Sequence, residues 1–335
     1  MCGRDAFSST LRPSAIDRRP CSRYRLIAPD ASAPAINSGP VEEGIPVDIS
    51  RPGVFAFLDS IDGRASADFA RKVQRLGYSV LWIVEGSGRN SLAFASWLLA
   101  RTDTLIIGTG VASIWARAAT TMASAARTAA ELSDGRFILG IGANNPVSAA
   151  RRGLNYDKPV AFMREYLQKM KTAAYEAPAP RHEPPVLLAA LNPRMLMLSG
   201  TDAQGTLTYF VPPDHTRKAC EVIGPSRWVC AEQAVILETD PLKARATARN
   251  YMKNYLKIPA YIRNLRRLGF TDRDLANGAS DRLVDAIVAW GDVRKIRARI
   301  DAHYQAGAAH VCVLPLSPAG GMAPDLRALE ALSPG

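Results

Sequence analysis

Short apolar runs alternate with amphipathic stretches along most of the chain. Several runs, such as 105–107 and 137–139, are continuously apolar, which is typical of strands that are buried on both faces. We predict strands at 54–58, 79–85, 104–111, 136–142, 186–191, 206–211, 234–239 and 310–314. Strands that alternate with helices favour a parallel sheet with right-handed crossovers. The pattern therefore predicts an α/β fold, the (β/α)8 TIM barrel.

Helical segments between the predicted strands begin at recognisable capping signals. Asn192-Pro193 and Asp240-Pro241 each place a capping side chain before a proline, which suits the first helical position. About 70 residues of helical pattern separate the last two predicted strands, which is more than one crossover needs. We therefore predict a helical insertion at about 241–305, between strands seven and eight of the barrel. Its helices are expected at 256–268, 282–290 and 293–304.

Residues 1–52 differ from the rest because they are rich in proline, serine and alanine and show no sustained apolar period. Such a segment buries too little apolar surface to fold, so we predict a disordered N-terminal extension. Its basic residues resemble those of a transit peptide, but the prolines exclude a continuous amphipathic helix. The predicted organisation is this extension, a barrel over 53–318 and a C-terminal tail over 319–335.

Composition and cysteine spacing narrow the class of protein. Hydrophobic residues make up 47% of the chain, yet no run approaches the roughly 18 apolar residues of a membrane-spanning helix. The five cysteines and four histidines lack the C-x-x-C and H-x-x-x-H spacings of metal sites, and the cysteines indicate no disulfide framework. We expect a protein of the reducing cytoplasm, with no metal and no membrane contact.

The formal charge of +11 raises the question of a nucleic-acid partner. The basic residues are scattered over helical segments, with local groups at Arg151-Arg152 and at Arg263, Arg266 and Arg267. They are not interleaved with aromatic residues in the way that binds single strands. We therefore expect no nucleic-acid partner, and interpret the charge as solvated helix faces or as attraction for a polyanionic cofactor.

Residues just past the predicted strands should form the ligand site, because parallel barrels bind at their carboxyl ends. These positions are poor in acid and base groups, which suits a cofactor that carries its own chemistry. Glu85 is the strand-end carboxylate best placed to act, and a salt bridge with Arg89 or Arg117 is an equally good alternative. The glycines at 108, 110, 140 and 142 allow a ring or a phosphate to approach the backbone, or serve close packing.

The strand-end stretch and several shorter segments resemble the luciferase-like monooxygenase family. The similar segments are Gly108-Thr-Gly-Val-Ala-Ser-Ile-Trp-Ala-Arg117, 122–144, 78–85, 156–166, 188–195, 209–215 and 280–286. Within the family, the likeness is to the actinobacterial subgroup that uses the deazaflavin coenzyme F420. The resemblance covers roughly 53–316.

This resemblance implies a (β/α)8 barrel, often dimeric, with the flavin or deazaflavin ring lying across the strand ends. It also implies a non-prolyl cis peptide at Gly110-Val111, in a bulge that ends the third strand. Ser113 would face the ring or its ribityl chain, and Asn144 and Asn145 would reach its polar edge. The implied cofactor-binding residues are Gly110, Val111, Ala112, Ser113 and Asn144, with Ala190, Leu191 and Asn192 for the phosphate.

The chain also departs from these relatives. Deazaflavin-dependent sugar-phosphate dehydrogenases carry a catalytic histidine after the second strand, where this chain has Gly86. They also carry a glutamate past the fourth strand, where this chain has Asn145. We therefore do not expect sugar-phosphate oxidation by that mechanism, and take Glu85 and Asn145 as the candidate catalytic residues.

The preferred functional hypothesis is an oxidoreductase that transfers a hydride between coenzyme F420 and a small organic substrate. One alternative is an FMN-dependent monooxygenase that activates dioxygen, and another is a non-catalytic barrel that binds a flavin. The resemblance suggests a homodimer. The loops at 86–90, 145–156 and 257–278 contain no group that identifies the substrate.

Overall fold

Eight parallel strands close into a barrel in the computed structural model, which describes residues 47–151, 153–321 and 323–334. The strands are β1 (Gly53–Ala56), β2 (Val80–Ile83), β3 (Ile106–Thr109), β4 (Ala112–Ser113), β5 (Phe137–Gly142), β6 (Val186–Ala189), β7 (Gly205–Thr208), β8 (Trp228–Leu237), β9 (Val288–Gly291) and β10 (His310–Pro315). Around the barrel the order is β1-β2-β3-β5-β6-β7-β8-β10, and β10 pairs with β1 to close the ring. The predicted fold class is confirmed.

Helices cover the outside of the barrel and connect its strands. They are α1 (Gly63–Arg75), α2 (Ser91–Leu99), α3 (Ala119–Glu131), α4 (Pro146–Ala150), α5 (Pro159–Lys171), α6 (Pro193–Asp202), α7 (Pro213–Ile223), α8 (Pro241–Met252), α9 (Pro259–Arg267), α10 (Asp272–Leu275), α11 (Asp281–Ile287), α12 (Val293–Gln305) and α13 (Leu326–Leu332), with short 3-10 helices at Tyr255–Lys257 and Ala276–Gly278. None of the helices in the described ranges is long and apolar enough to cross a membrane.

The predicted strands all overlap strands of the barrel, but two expectations about the last third of the chain are wrong. The seventh strand begins at Trp228 rather than at 234. Residues 288–291 form β9 instead of ending a helix, because they pair in parallel with 234–237 of β8. A strand partner here overrides the helical spacing of the apolar residues.

The helical insertion lies where the sequence predicts it, between β8 and β10. Asp240 opens it, since its carboxylate accepts hydrogen bonds from the backbone N–H groups of Leu242 and Lys243 at the start of α8. Helices α8 to α11 precede β9, and α12 returns the chain to β10. The insertion therefore rises from the carboxyl end of β8, next to the expected ligand site.

The amino-terminal end of the barrel is closed by buried side chains. His310 accepts a hydrogen bond from the Trp82 indole at 3.2 Å and donates one to the carbonyl of Ile49 at 3.0 Å. Val47 and Ile49 are buried in the same apolar cluster as Trp82. Of the predicted N-terminal extension, residues 1–46 lie outside the described residues.

Candidate cofactor site at the carboxyl ends of the strands

A bulge ends β3, and its first peptide bond is cis. This bond joins Gly110 to Val111, as the family resemblance implies. A Cβ at position 110 would lie 2.6 Å from Cε2 of Phe55, so the backbone can follow this path only with glycine. Beyond the bulge, Ala112 and Ser113 form β4, which pairs with the end of β5.

The glycines of β5 make room for this bulge. A Cβ at Gly140 would lie 1.9 Å from the carbonyl oxygen of Thr109, and one at Gly142 would lie 2.5 Å from Cγ2 of Val111. Close packing therefore accounts for both glycines, which was one of the two interpretations open from the sequence. Their effect on the site is indirect, because they allow Val111 and Ser113 to lie flat against β5.

The carboxylate of Glu85 is buried and accepts hydrogen bonds from residues of the bulge and its neighbours. Arg117 donates to both of its carboxylate oxygens, at 2.5 and 3.0 Å, and both side chains are at most 10% exposed. Ser91 Oγ donates at 2.8 Å, and the backbone N–H of Ser113 donates at 3.2 Å. Arg89 instead donates to backbone carbonyls. The salt bridge with Arg117 is thus the alternative that the geometry supports, and it ties β2 to β4.

Asn144 follows β5 on the ligand side of the bulge. Its backbone is in the left-handed region, with φ of 54°, and its Oδ1 is buried without a hydrogen-bond partner among the described residues. A buried acceptor of this kind is rare in folded proteins and fits a ligand donor. Asn145, the next residue, is half-buried at the start of α4. Ser113 and Asn144 are brought together because β4 pairs with the end of β5.

Ala190, Leu191 and Asn192 lie at the end of β6, the neighbour of β5. Asn192 does not cap α6 with its side chain, although the sequence suggests a cap there. Instead its Oδ1 accepts a hydrogen bond from Arg267 of α9. The insertion thus brings a cation to the predicted phosphate site, and the basic group around Arg267 is part of the strand-end region.

Sequence reasoning missed a carboxylate inside the barrel. Glu232 is 1% exposed on β8, and its Oε2 accepts from the backbone N–H of Phe210 at 3.1 Å. Its Oε1 has no hydrogen-bond partner in the described part of the chain. Burial raises the pKa of Glu232 to about 8. The signal that could have found it is an acidic residue amid the apolar run at 228–237, where the predicted strand began too late to include it.

Aromatic residues from the insertion pack on Tyr209 and Phe210, next to the backbone N–H that binds this carboxylate. Tyr251 donates to the Tyr209 hydroxyl at 2.9 Å, and the hydroxyls of Tyr209 and Tyr255 are 2.8 Å apart. Phe210 stacks on Tyr255 with ring centroids 5.1 Å apart, and its φ of 61° is uncommon for a large residue. Across the described ranges, no group of three or more His, Cys, Asp or Glu side chains is placed to hold a metal ion.

Comparisons with known proteins agree with this architecture. A protein of Mycobacterium tuberculosis named as a coenzyme F420-dependent oxidoreductase is 23% identical over 79% of this chain and 93% of its own length. An F420-dependent secondary alcohol dehydrogenase, solved with an F420-acetone adduct, superposes with a TM-score of 0.69 at 15% identity, over 85% of this chain and 97% of its own. The oxygenating component of 3,6-diketocamphane monooxygenase from Pseudomonas putida, solved with FMN, gives a TM-score of 0.63 at 16% identity, over 86% and 98%.

A family model also matches most of the chain. The model described as luciferase-like monooxygenase matches residues 50–310, which includes the whole barrel up to the start of β10. The bulge after β3, with its cis peptide at Gly110-Val111, lies within the match. The chain therefore belongs to the luciferase-like monooxygenase family.

Proposed function

We propose that this protein is an oxidoreductase that transfers a hydride between coenzyme F420 and a small organic substrate. The bulge carries the proposal, because a flat heteroaromatic ring laid against Gly110-Val111 would satisfy the buried Oδ1 of Asn144 with a ring N–H. The relative named as F420-dependent and the alcohol dehydrogenase solved with an F420 adduct support this choice of cofactor over FMN.

The residues proposed to hold the cofactor form two groups. Those for the ring are Gly110, Val111, Ala112, Ser113 and Asn144, and those for the phosphate are Ala190, Leu191 and Asn192. When bound, coenzyme F420 supplies a ring carbon that donates or accepts a hydride. Arg267 adds positive charge at the phosphate group, and Asn145, half-buried just before α4, is proposed to contact the substrate.

Glu85 acts in this proposal as a positioning residue. Its carboxylate accepts hydrogen bonds from Arg117, Ser91 and the Ser113 backbone, which leaves little capacity for a substrate proton. By holding the Ser113 N–H, it fixes the strand that supports the ring. The group that exchanges a proton with the substrate must then be sought elsewhere in the barrel mouth.

An equilibrium titration tests the proposed cofactor. Purified protein should change the fluorescence of coenzyme F420 with a dissociation constant in the micromolar range, and should bind FMN and NADPH more weakly. Binding of FMN without binding of F420, together with oxygen consumption when reduced FMN is supplied, would replace the proposal with an FMN-dependent monooxygenase. Binding of F420 without turnover of any substrate or reductant would support a non-catalytic barrel.

We also propose that the protein works in the cytoplasm as a homodimer on a small-molecule substrate. The wide spacing of its cysteines and the family resemblance support this. Light scattering coupled to size-exclusion chromatography should give twice the mass of the 36.2 kDa chain. A mass of one chain at micromolar concentration would contradict the dimer.

A further inference from the structure

Glu232 lies on β8 beside the carboxyl end of β7. Thr208, the last residue of β7, pairs with Ala231, so Glu232 follows the last paired position of that strand. On the other side Glu232 pairs with Cys312 of β10. Its inward neighbours on β8 are Cys230 and Ala234, which belong to the apolar core of the barrel. A carboxyl group in these surroundings is costly to ionise.

The hydrogen bonds of this carboxyl group fix the position of its proton. Oε2 accepts from the Phe210 N–H, so in the neutral acid the proton belongs on Oε1. Oε1 is the buried atom without a partner among the described residues, so it holds a donor O–H that is unused within the protein. With a pKa of about 8, this acid keeps its proton at neutral pH.

Four tyrosines, which we call the tyrosine cluster, interact electrostatically with this acid: Tyr209 just past β7, and Tyr251, Tyr255 and Tyr261 from the insertion. Burial raises the pKa of each phenol and of the Cys312 thiol, and a negative charge on Glu232 raises each further, so all five groups lie within its electrostatic reach. All five are uncharged at neutral pH. Hydrogen bonds link the hydroxyls of Tyr251, Tyr209 and Tyr255, and each tyrosine of the cluster is half-buried.

One phenylalanine ring separates the tyrosine cluster from the proposed cofactor floor. The rings of Phe55 and Tyr209 have centroids 5.3 Å apart. Phe55 also packs against Gly110 of the cis peptide, where a Cβ would lie 2.6 Å from its Cε2. Phe57 adds a second ring at 5.9 Å from Phe55. The proposed floor is therefore flanked by the aromatic rings of Phe55, Phe57 and Tyr209.

We propose that Glu232 is the general acid of this site, that the tyrosine cluster is its proton path, and that the substrate is an uncharged carbonyl compound. The inference rests on the proposed function. In the reducing direction, bound reduced deazaflavin would supply a hydride to the carbonyl carbon, and the carbonyl π electrons would form the new O–H bond with the proton of Oε1. The products would be an alcohol, the oxidised cofactor and the Glu232 carboxylate, which would regain a proton from water through Tyr209 and its neighbours. The reverse sequence oxidises an alcohol.

The electrostatics of the cluster select the substrate class. The groups that face Glu232 are neutral, so a charged substrate would lose its hydration there without gaining an ion pair. A carbonyl oxygen, in contrast, accepts hydrogen bonds from an acid O–H and from a phenol. The aromatic border favours an apolar body on the substrate.

Infrared spectroscopy tests the neutral acid without any turnover. The wild-type protein at pH 7 should show the C=O band of a protonated carboxylic acid, and the band should disappear with a midpoint near pH 8. Glu232→Gln should lack this band, whereas Glu131→Gln, which removes an exposed carboxylate from α3, should retain it. A wild-type spectrum without the band at pH 7 would overturn the proposal.

Single-turnover kinetics test the role of the acid. Protein loaded with reduced F420 is mixed with cyclohexanone or benzaldehyde, and the return of oxidised F420 fluorescence is followed. We expect Glu232→Gln to slow this step about a hundredfold or more while F420 affinity changes less than about threefold, because a general acid acts on the transition state. The wild-type rate should fall above pH 8, and Tyr209→Phe should slow the reaction to a smaller extent.

The failures of the two proposals are distinguishable. A protein that does not bind F420 contradicts the proposed function. A protein that binds F420 but reduces neither carbonyl compound contradicts the substrate class. Equal single-turnover rates and pH profiles for wild type and Glu232→Gln contradict the acid role, whereas thermal unfolding of the variant confirms that it is folded.

Discussion

At the scale of single residues, Gly140 offers the sharpest test of the bulge. A methyl group there would lie 1.9 Å from the Thr109 carbonyl oxygen, which is backbone and cannot rotate away. We expect Gly140→Ala to lower the free energy of unfolding by at least about 2 kcal/mol and to weaken F420 binding. Gly63→Ala, on the first turn of α1 with only an ordinary contact to Trp97, should leave both unchanged. Equal denaturation midpoints for the two variants would show that the bulge adapts.

The same scale shows what sequence reasoning could and could not find. The cis peptide at Gly110-Val111 is confirmed because a family motif marks it. Glu232 was missed because a single acidic residue in an apolar run does not reveal whether its side chain points into the barrel or into water. The partner of Glu85 was left open between Arg89 and Arg117, since only the path of the backbone decides which guanidinium reaches it.

At the scale of elements, the ion pair of Glu85 and Arg117 should hold β2, β4 and the start of α3 together. Glu85→Gln leaves a buried guanidinium without its counter-charge, so we expect a loss of about 3 kcal/mol in unfolding free energy and weaker F420 binding. Glu183→Gln is the matched control, because Glu183 pairs with Arg127 while 54% exposed, and it should cost less than about 1 kcal/mol. Urea unfolding and the F420 titration measure both effects. A stable Glu85→Gln protein that binds F420 normally and fails only in turnover would return Glu85 to a catalytic role.

Element types were more predictable than element limits. Continuous apolar runs identified several of the barrel strands, because burial on both faces leaves a strong pattern. The start of β8 and the existence of β9 were not predictable, since both depend on pairing between residues far apart in the chain, such as Trp228 with Gly205 and Val288 with Ala234. The insertion was recognised by its length, but its contribution of Arg267 and three tyrosines to the strand ends depends on how it folds back.

At the scale of the whole molecule, buried titratable groups should give unfolding a distinct dependence on pH. Burial lowers the pKa of His310 to about 4 and that of His303 to about 3, from the usual 6.5, so stability falls as the pH drops below 6.5. Glu232 acts with the opposite sign, because its pKa is raised from 4.5 to about 8 and its contribution is lost as the pH rises through that interval. Wild-type stability should therefore be greatest near pH 6.5 and decline on both sides.

The fall in unfolding free energy above pH 6.5 is expected to come from Glu232. The variant Glu232→Gln tests this contribution separately. Glu232→Gln keeps the shape of the neutral acid and cannot ionise, so its unfolding free energy should stay level from pH 6.5 to 8. The wild type should lose about 1.4 kcal/mol of unfolding free energy per pH unit over the same interval. The reason is that folded Glu232 keeps a proton that the unfolded chain has already released. Both proteins should still lose stability in parallel below pH 5, where the two histidines charge on unfolding. Denaturant unfolding at half-unit pH steps measures the two curves. If they run parallel from pH 6.5 to 8 as well, the carboxyl group of Glu232 is already ionised at neutral pH and has no proton to give.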